Sequence, residues 1–291
     1  MADTDELMDA AERDLLAAAF RKAMTTSTLA SASSSTLSAP GDDLAAALRE
    51  LGWTDLLAEF PSVAIPMVFR LLGETGAHAP LVNDVVLATA GRDPDGTLPL
   101  PYAGGSWVVW ERSASPGTAL DDSIPLRRTD AGAAVDRAAL AAGRRAVGWW
   151  LLGSGRAMLA LARAHALDRT QFGRPIASFQ AVRHRLAETL VALDGAEAVL
   201  AAAGDRSDTG PADVELASLL AKAAAGQAAL TAARHCQQVL GGIGFTAEHA
   251  LHIHVKRALL LDGLLGSARE LTREAGRRLA ADGAALRLVD L

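Results

Sequence analysis

A mostly α-helical fold ending in an antiparallel four-helix bundle is what this sequence predicts. Three observations carry the prediction. Of 291 residues, 50% are hydrophobic but only 4% aromatic; Ala, Leu and Gly dominate and β-branched residues are sparse, which favours helix over strand. Residues 91–132 alone concentrate turn formers, with Pro94, Pro99, Pro101, Pro116 and Pro125 beside Gly91, Gly96, Gly104, Gly105 and Gly117. From Ala133 a continuous helical pattern runs to about residue 282, broken only by short connections, as in a bundle. This divides the chain into an N-terminal helical region (1–90), a truncated β segment (91–132) and a C-terminal bundle (133–291).

Residues 5–24 read as an amphipathic helix. The Ser/Thr-rich stretch that follows lacks an apolar period, so 25–40 reads as a loop. Asp42 or Asp43 can cap a helix that runs through Glu50 and ends at Gly52. Short helices are expected at 54–59, 62–75 and 80–90. Within 91–132, Ser106-Trp107-Val108-Val109-Trp110 reads as a strand, and the segment has room for about four strands, too few for a filled barrel. Residues 133–167 form one helix of about 50 Å at a rise of ~1.5 Å per residue. It is apolar nearly all round apart from Arg145, Arg156 and Arg163, so it belongs at the centre. Further helices are expected at 178–203, 212–240, 247–262 and 264–282, with a polar turn from Gly204 to Pro211.

Lys+Arg number 28 against Asp+Glu 34, a formal charge of −6. With no basic block, this argues against a nucleic-acid face. The N-terminus carries Asp3, Asp5, Glu6, Asp9 and Glu12 where a signal peptide would be basic and apolar. No stretch reaches ~18 uncharged apolar residues, so no membrane span is expected. The single cysteine, Cys236, cannot form an internal bridge and fits a reducing cytoplasm.

Two motifs stand out. Arg169-Thr170-Gln171-Phe172-Gly173-Arg174-Pro175, followed by Phe179-Gln180, sets a planar guanidinium fork beside a sharp corner, and such a fork suits a pyrophosphate. Read locally, Arg169 is equally a helix C-cap and Phe172 a core residue. Gln238-Val239-Leu240-Gly241-Gly242-Ile243-Gly244-Phe245 puts glycines at a helix end, where a ligand can approach the backbone; read locally, it is a glycine cap. His249, His252 and His254 are spaced as a polar helix face, and no metal site is expected from them.

Taken together, these motifs resemble the C-terminal domain of acyl-CoA dehydrogenases. Gly244-Phe245-Thr246-Ala247-Glu248-His249 with Lys256-Arg257-Ala258 extends the likeness, as do Glu50-Leu51-Gly52-Trp53, Leu71-Leu72-Gly73-Glu74 and Ala79-Pro80 near the N-terminus. The resemblance implies an acyl-CoA dehydrogenase-like fold of helical, β and bundle parts, with FAD lying across a subunit interface. It also implies that Arg169, Gln171, Phe172, Gln180, Gln238, Gly241 and Gly242 serve the adenosine-diphosphate side of a flavin seated mainly on another chain, and that Arg144 lies near the acyl-CoA.

Two departures shape the function that the resemblance implies. The family's flavin-wrapping segment, like Thr-Glu-Pro-x-x-Gly-Ser-Asp, has no counterpart in 91–132. The chemistry also needs a carboxylate to take the α-proton of an acyl thioester. One family position for it falls on Leu265, in Leu264-Leu265-Gly266-Ser267, and the other on Gly143, before Arg144. Both lack a carboxylate. The expectation is a base-less subunit of a hetero-oligomeric FAD-dependent acyl-CoA dehydrogenase, similar to the shortened members of actinobacterial steroid-degradation pairs. Its expected partners are a full-length dehydrogenase subunit (α2β2), an acyl-CoA substrate and an electron-transfer acceptor. The rival expectations are a catalytically silent scaffold and an autonomous flavoenzyme using Asp262 as base, with Glu248 and Glu270 as weaker stand-ins.

Overall fold

The computed structural model describes residues 8–33, 40–112, 119–121, 124–204 and 210–283. Asp3, Asp5, Glu6, the far end of the Ser/Thr stretch (34–39), Pro116 with Gly117, and 205–209 lie outside them.

Five helices open the chain: α1 (Ala10–Ser33), α2 (Pro40–Glu50), α3 (Trp53–Glu59), α4 (Pro61–Thr75) and α5 (Leu81–Thr89). The loop expected from residue 25 is helical through Ser33. Thr25, Thr26 and Thr28 donate their hydroxyls to the carbonyls of Arg21, Lys22 and Met24, four residues back, at 2.8–3.0 Å. This satisfies the polar side chains inside a helix, while Phe20 and Met24 bury its inner face. Asp42 and Asp43 are not caps, because α2 already begins at Pro40, and proline is pre-organised for a first helical position.

Four short strands follow: β1 (Pro99–Tyr102), β2 (Ser106–Trp110), β3 (Ala119–Asp121) and β4 (Ile124–Thr129). They form one antiparallel sheet in the order β1-β2-β4-β3. Then come α6 (Arg137–Asp168), a hairpin of β5 (Thr170–Gln171) and β6 (Arg174–Pro175), α7 (Gln180–Gly204), α8 (Pro211–Leu240), α9 (Leu251–Gly263) and α10 (Ala268–Asp282). The last two helices start about four residues later than the sequence suggested. Leu265 at φ 60 and Gly266 at φ 100 break the chain before α10, and a Ser267–Glu270 capping box then starts it.

α6 is the central helix, and it meets α4 backbone to backbone. A Cβ on Gly73 would strike the Trp150 carbonyl, and one on Gly153 the Arg70 carbonyl, so only glycine permits this approach. An aromatic ladder runs from Trp53 to Phe69 (6.1 Å between centroids), Trp150 (5.9 Å) and Trp110 (5.4 Å). It joins the N-terminal helices, the bundle and the sheet. Ion pairs add a second tie, from Arg21 to Glu74, Arg70, Glu197 and Arg156.

Register fixes which helix ends meet. Arg145 Nη1 donates to Ser218 Oγ at 3.0 Å, an offset of 73 residues, and Gly148 lies against the Lys222 Cα. α6 and α8 therefore run parallel, and at that offset the end of α6, Asp168, falls level with Gly241. α7 runs antiparallel to both: Gly148 packs on Leu200 and Gly155 on Leu193, while Thr189 Oγ1 lies 2.9 Å from His235 Nδ1. The start of α7 thus returns to the same end of the bundle.

By length and composition, one segment among the described residues (Pro211–Phe245, with α8) is apolar enough to cross a membrane, but 72% of its apolar window is buried inside the molecule. That apolarity forms the core.

Candidate functional site

The two motifs occupy the end of the bundle where α6 stops, α7 starts and α8 stops. Arg169 ends α6 through its backbone, its N–H donating to the His165 carbonyl at 2.8 Å, while its side chain is exposed. The local reading as a cap holds for the backbone and leaves the guanidinium unused. The hairpin that follows turns on Phe172 (φ 54) and Gly173 (φ 76), two consecutive left-handed residues as in a type I′ turn. Phe172 is 91% exposed, so it is not a core residue. Its ring meets Phe179 edge-on at 6.0 Å, and the Arg174 guanidinium lies 4.4 Å over Phe179.

Gln171 donates only to the neighbouring Thr170 carbonyl. Gln180, Gln238, Gly241 and Gly242 are exposed, and nothing lies within 4 Å of a Cβ built on either glycine. Among the described residues the side chains of Arg169, Gln180 and Gln238 have no hydrogen-bond or ion-pair partner. The donor set here is the guanidiniums of Arg169 and Arg174 and three amides, beside exposed Phe172, Ile243 and Phe245 and an open glycine backbone. Such a surface can take up an anionic group with a flat ring.

The second place of interest is the corner between α9 and α10. Leu265 is 1% exposed, and a Cβ built on Gly143 would lie 2.8 Å from Leu265 Cδ1 and from Val86 Cγ2. The two positions singled out for the missing base, far apart in sequence, therefore face one another. Arg144 points into the same corner, where its Nε donates to the Leu265 carbonyl at 3.2 Å. Burial lowers its pKa to about 10, opposed by Glu215.

Sequence reasoning missed Lys222. It is fully buried and donates to the carbonyls of Asp262 (2.9 Å) and Gly266 (2.5 Å). Burial pulls its pKa down to about 7, with Asp262 working the other way. A signal was available: between Glu215 and Arg234, Lys222 is the sole charged residue of α8, and a lone charge in a core helix needs a partner.

Of the stand-in carboxylates, Asp262 and Glu270 are committed to structure. Asp262 Oδ1 accepts from the Ala268 N–H at 3.1 Å and packs on Gly226. Glu270 accepts from the Ser267 N–H (3.0 Å) and from Gly104 N–H (2.8 Å), and these bonds hold its pKa below the usual range. Glu248 is exposed on the turn before α9. Burial lowers the His254 pKa to about 4, His252 Nδ1 lies 2.9 Å from the His249 carbonyl, and among the described residues no His/Cys/Asp/Glu group could hold a metal. Burial pushes the Cys236 thiol up to about 12, an inert state.

Comparison with known proteins gives a family match described as "Acyl-CoA dehydrogenase, C-terminal domain" over residues 130–280. The chain is similar to acyl-CoA dehydrogenase FadE34 of Mycobacterium tuberculosis, at 35% identity over 251 residues, covering 77% of this chain and 34% of that protein. The chain spans a third to about half the length of the curated relatives it matches first. Among solved structures it is similar in fold to a Tcur3481–Tcur3483 steroid ACAD variant (TM-score 0.71, 20% identity, 94% of this chain and 99% of that chain). It is likewise similar to the ChsE4–ChsE5 complex from Mycobacterium tuberculosis (TM-score 0.66, 20% identity, 96% and 98%).

Proposed function

We propose, from the premise that this chain belongs to the acyl-CoA dehydrogenase family, that it is the non-base-bearing subunit of a hetero-oligomeric FAD-dependent acyl-CoA dehydrogenase. The observation that carries this reading is Leu265 packed on Gly143. Both positions at which the family resemblance expects a carboxylate are hydrocarbon, and they face each other. A partner dehydrogenase subunit supplies the glutamate. Two structural neighbours, a steroid ACAD and a two-protein complex, support a steroid-derived acyl thioester as substrate and a second dehydrogenase subunit as partner, in an assembly we take as α2β2. An electron-transfer acceptor reoxidises the enzyme.

The residues at the open end fit the adenosine-diphosphate part of FAD. Arg169 would pair with the pyrophosphate, Gln171, Gln180 and Gln238 would donate to its polar edges, and Gly241 with Gly242 would allow close backbone approach; Phe172 would cover an apolar face. When bound, FAD supplies the hydride acceptor for α,β-desaturation. On this side of the interface the chain binds and orients; it moves no proton. Arg144 is held to the Leu265 carbonyl and serves the corner's structure in this reading. A scaffold role is disfavoured by an exposed donor set in which the side chains of Arg169, Gln180 and Gln238 have no partner among the described residues. Asp262 is disfavoured as a base because its Oδ1 is bonded to Ala268.

The test is co-expression with a full-length dehydrogenase subunit, then flavin absorbance and subunit stoichiometry of the purified complex. The expected result is two reducible flavins per α2β2 tetramer and little or no FAD on this chain alone. In the complex, Asp262→Asn should leave turnover within a few-fold, whereas losing a general base costs about 10²–10⁴ in rate. A stoichiometrically flavinated homo-oligomer of this chain would overturn the reading.

A further inference from the structure

The hairpin between α6 and α7 sorts its side chains by face. Gln171 pairs directly with Arg174, and Thr170 with Pro175. The Ile176 N–H donates to the Arg169 carbonyl at 2.8 Å, which carries the register back to Arg169. Residues directly opposite each other share a face, as do alternate residues of one strand. Arg169, Gln171 and Arg174 therefore stand on one face, and Thr170 with Pro175 on the other. Arg169 and Arg174 are diagonal neighbours across the pair, with their roots roughly 7 Å apart.

Arg174 is held in a way that Arg169 is not. Its guanidinium lies 4.4 Å over the centre of the Phe179 ring, and the Phe172 ring meets Phe179 edge-on at 6.0 Å. Arg174 is exposed, and among the described residues it makes no hydrogen bond or ion pair. Stacking covers one face of the planar group and leaves the N–H fork at its edge free to donate. The ring also limits where the fork can point, so less rotamer freedom remains to be lost on binding. A diphosphate carries negative charge on two adjacent phosphates, and one fork answers one of them.

On the reading that this end of the bundle takes the adenosine-diphosphate part of FAD, we propose that Arg174, aimed by Phe179, is the second arm of a clamp on the flavin diphosphate, beside Arg169 on the same face of the hairpin. Arg174 binds; Phe179 is a positioning residue that acts through it. The start of α7 supports the same charge: Gln180 opens that helix directly after Phe179, and the first turn of a helix has unpaired N–H groups and a positive end.

Titration of FAD into the flavin-free complex of this chain with its dehydrogenase partner, followed by flavin fluorescence, tests this. Arg174→Gln should weaken FAD binding about 10-fold, and Arg174→Lys should recover only part, having no planar fork to stack. Phe179→Leu should weaken it about 3-fold where Arg174 is present and leave it unchanged in the Arg174→Gln background, a coupling that a purely structural ring does not show. Subunit association, measured by sedimentation without flavin, should be the same in Arg174→Gln and wild type. Unchanged FAD binding in Arg174→Gln overturns the clamp. So does a flavin-free complex that Arg174→Gln weakens as much as it weakens FAD binding, because the fork then serves a carboxylate of the partner. Arg169→Ala, measured in parallel, separates the two levels. If it loses FAD affinity while Arg174→Gln does not, only the second arm fails; if neither loses it, the placing of flavin at this end fails as well.

Discussion

α6 carries one candidate site near each end, and the two are built on opposite terms. Near its start, Gly143 and Arg144 are enclosed by Leu265, Val86 and the carbonyls of the α9–α10 corner. At its finish, Arg169 and the Phe172 hairpin project outward, and among the described residues nothing bonds to the guanidinium. The enclosed site is explained by packing within the chain. The open site is not: a 91% exposed phenylalanine beside an unpaired fork contributes little to folding, and the proposed flavin contact is what would give this arrangement a task.

The sharpest way to test the contrast is to truncate the enclosed side. Leu265→Ala should destabilise the chain by about 2–5 kcal/mol, the transfer term of a buried leucine plus the space left behind, read as a lower denaturant midpoint at unchanged slope. A loss near zero would mean that the corner is loose and the contrast false. At the open end Arg169→Ala should leave that midpoint unchanged but weaken FAD retention in the complex roughly ten- to a hundred-fold, the equivalent of about 1.5–3 kcal/mol for a charged hydrogen-bonded contact. Arg169→Lys should recover only part of it, having no planar fork. Unchanged flavin retention in Arg169→Ala would make the residue a plain helix end.

Smaller again, per pH unit, is an effect at the enclosed side. Lys222 has its pKa lowered by burial to about 7, so above that value the folded chain binds fewer protons there than the unfolded chain. Stability should therefore rise with pH from about 7 toward the ordinary lysine range near 10.5, by on the order of 1 kcal/mol per pH unit, and be flat in this contribution below 7. Lys222→Met should remove that slope in denaturation curves taken across the window. The smallest effect expected is on Phe172→Ala: a stability change within about 0.5 kcal/mol, since the ring is exposed. A larger loss would show that the hairpin supports the fold after all.

How much of this was legible in the sequence depended on what each signal reports. The long apolar helices and the Ser106–Trp110 strand were readable because period and composition are local. Thr25 to Ser33 were misread as loop because hydroxyls bonding back to carbonyls look, as composition, like a linker. The start of α10 was displaced because a leucine at φ 60 is invisible without its tertiary neighbours. At the open end, the motif residues were read through a family resemblance; composition alone gave a cap and a core phenylalanine. That Gly143 and Leu265 would touch followed from neither motif, because long-range contact is a property of the folded packing. Lys222 was legible in principle, as a single charge in an apolar run.

The glycine contact between α4 and α6 has a consequence for how the molecule comes apart. With Gly73 and Gly153 holding two backbones together and the Trp53–Phe69–Trp150–Trp110 ladder running through the same place, the N-terminal helices cannot peel from the bundle without exposing the centre of α6. The three segments that the sequence distinguishes should therefore melt as one cooperative unit, with a calorimetric enthalpy equal to the van't Hoff enthalpy. The slowest amide exchange should lie along the middle of α6 rather than in any one segment.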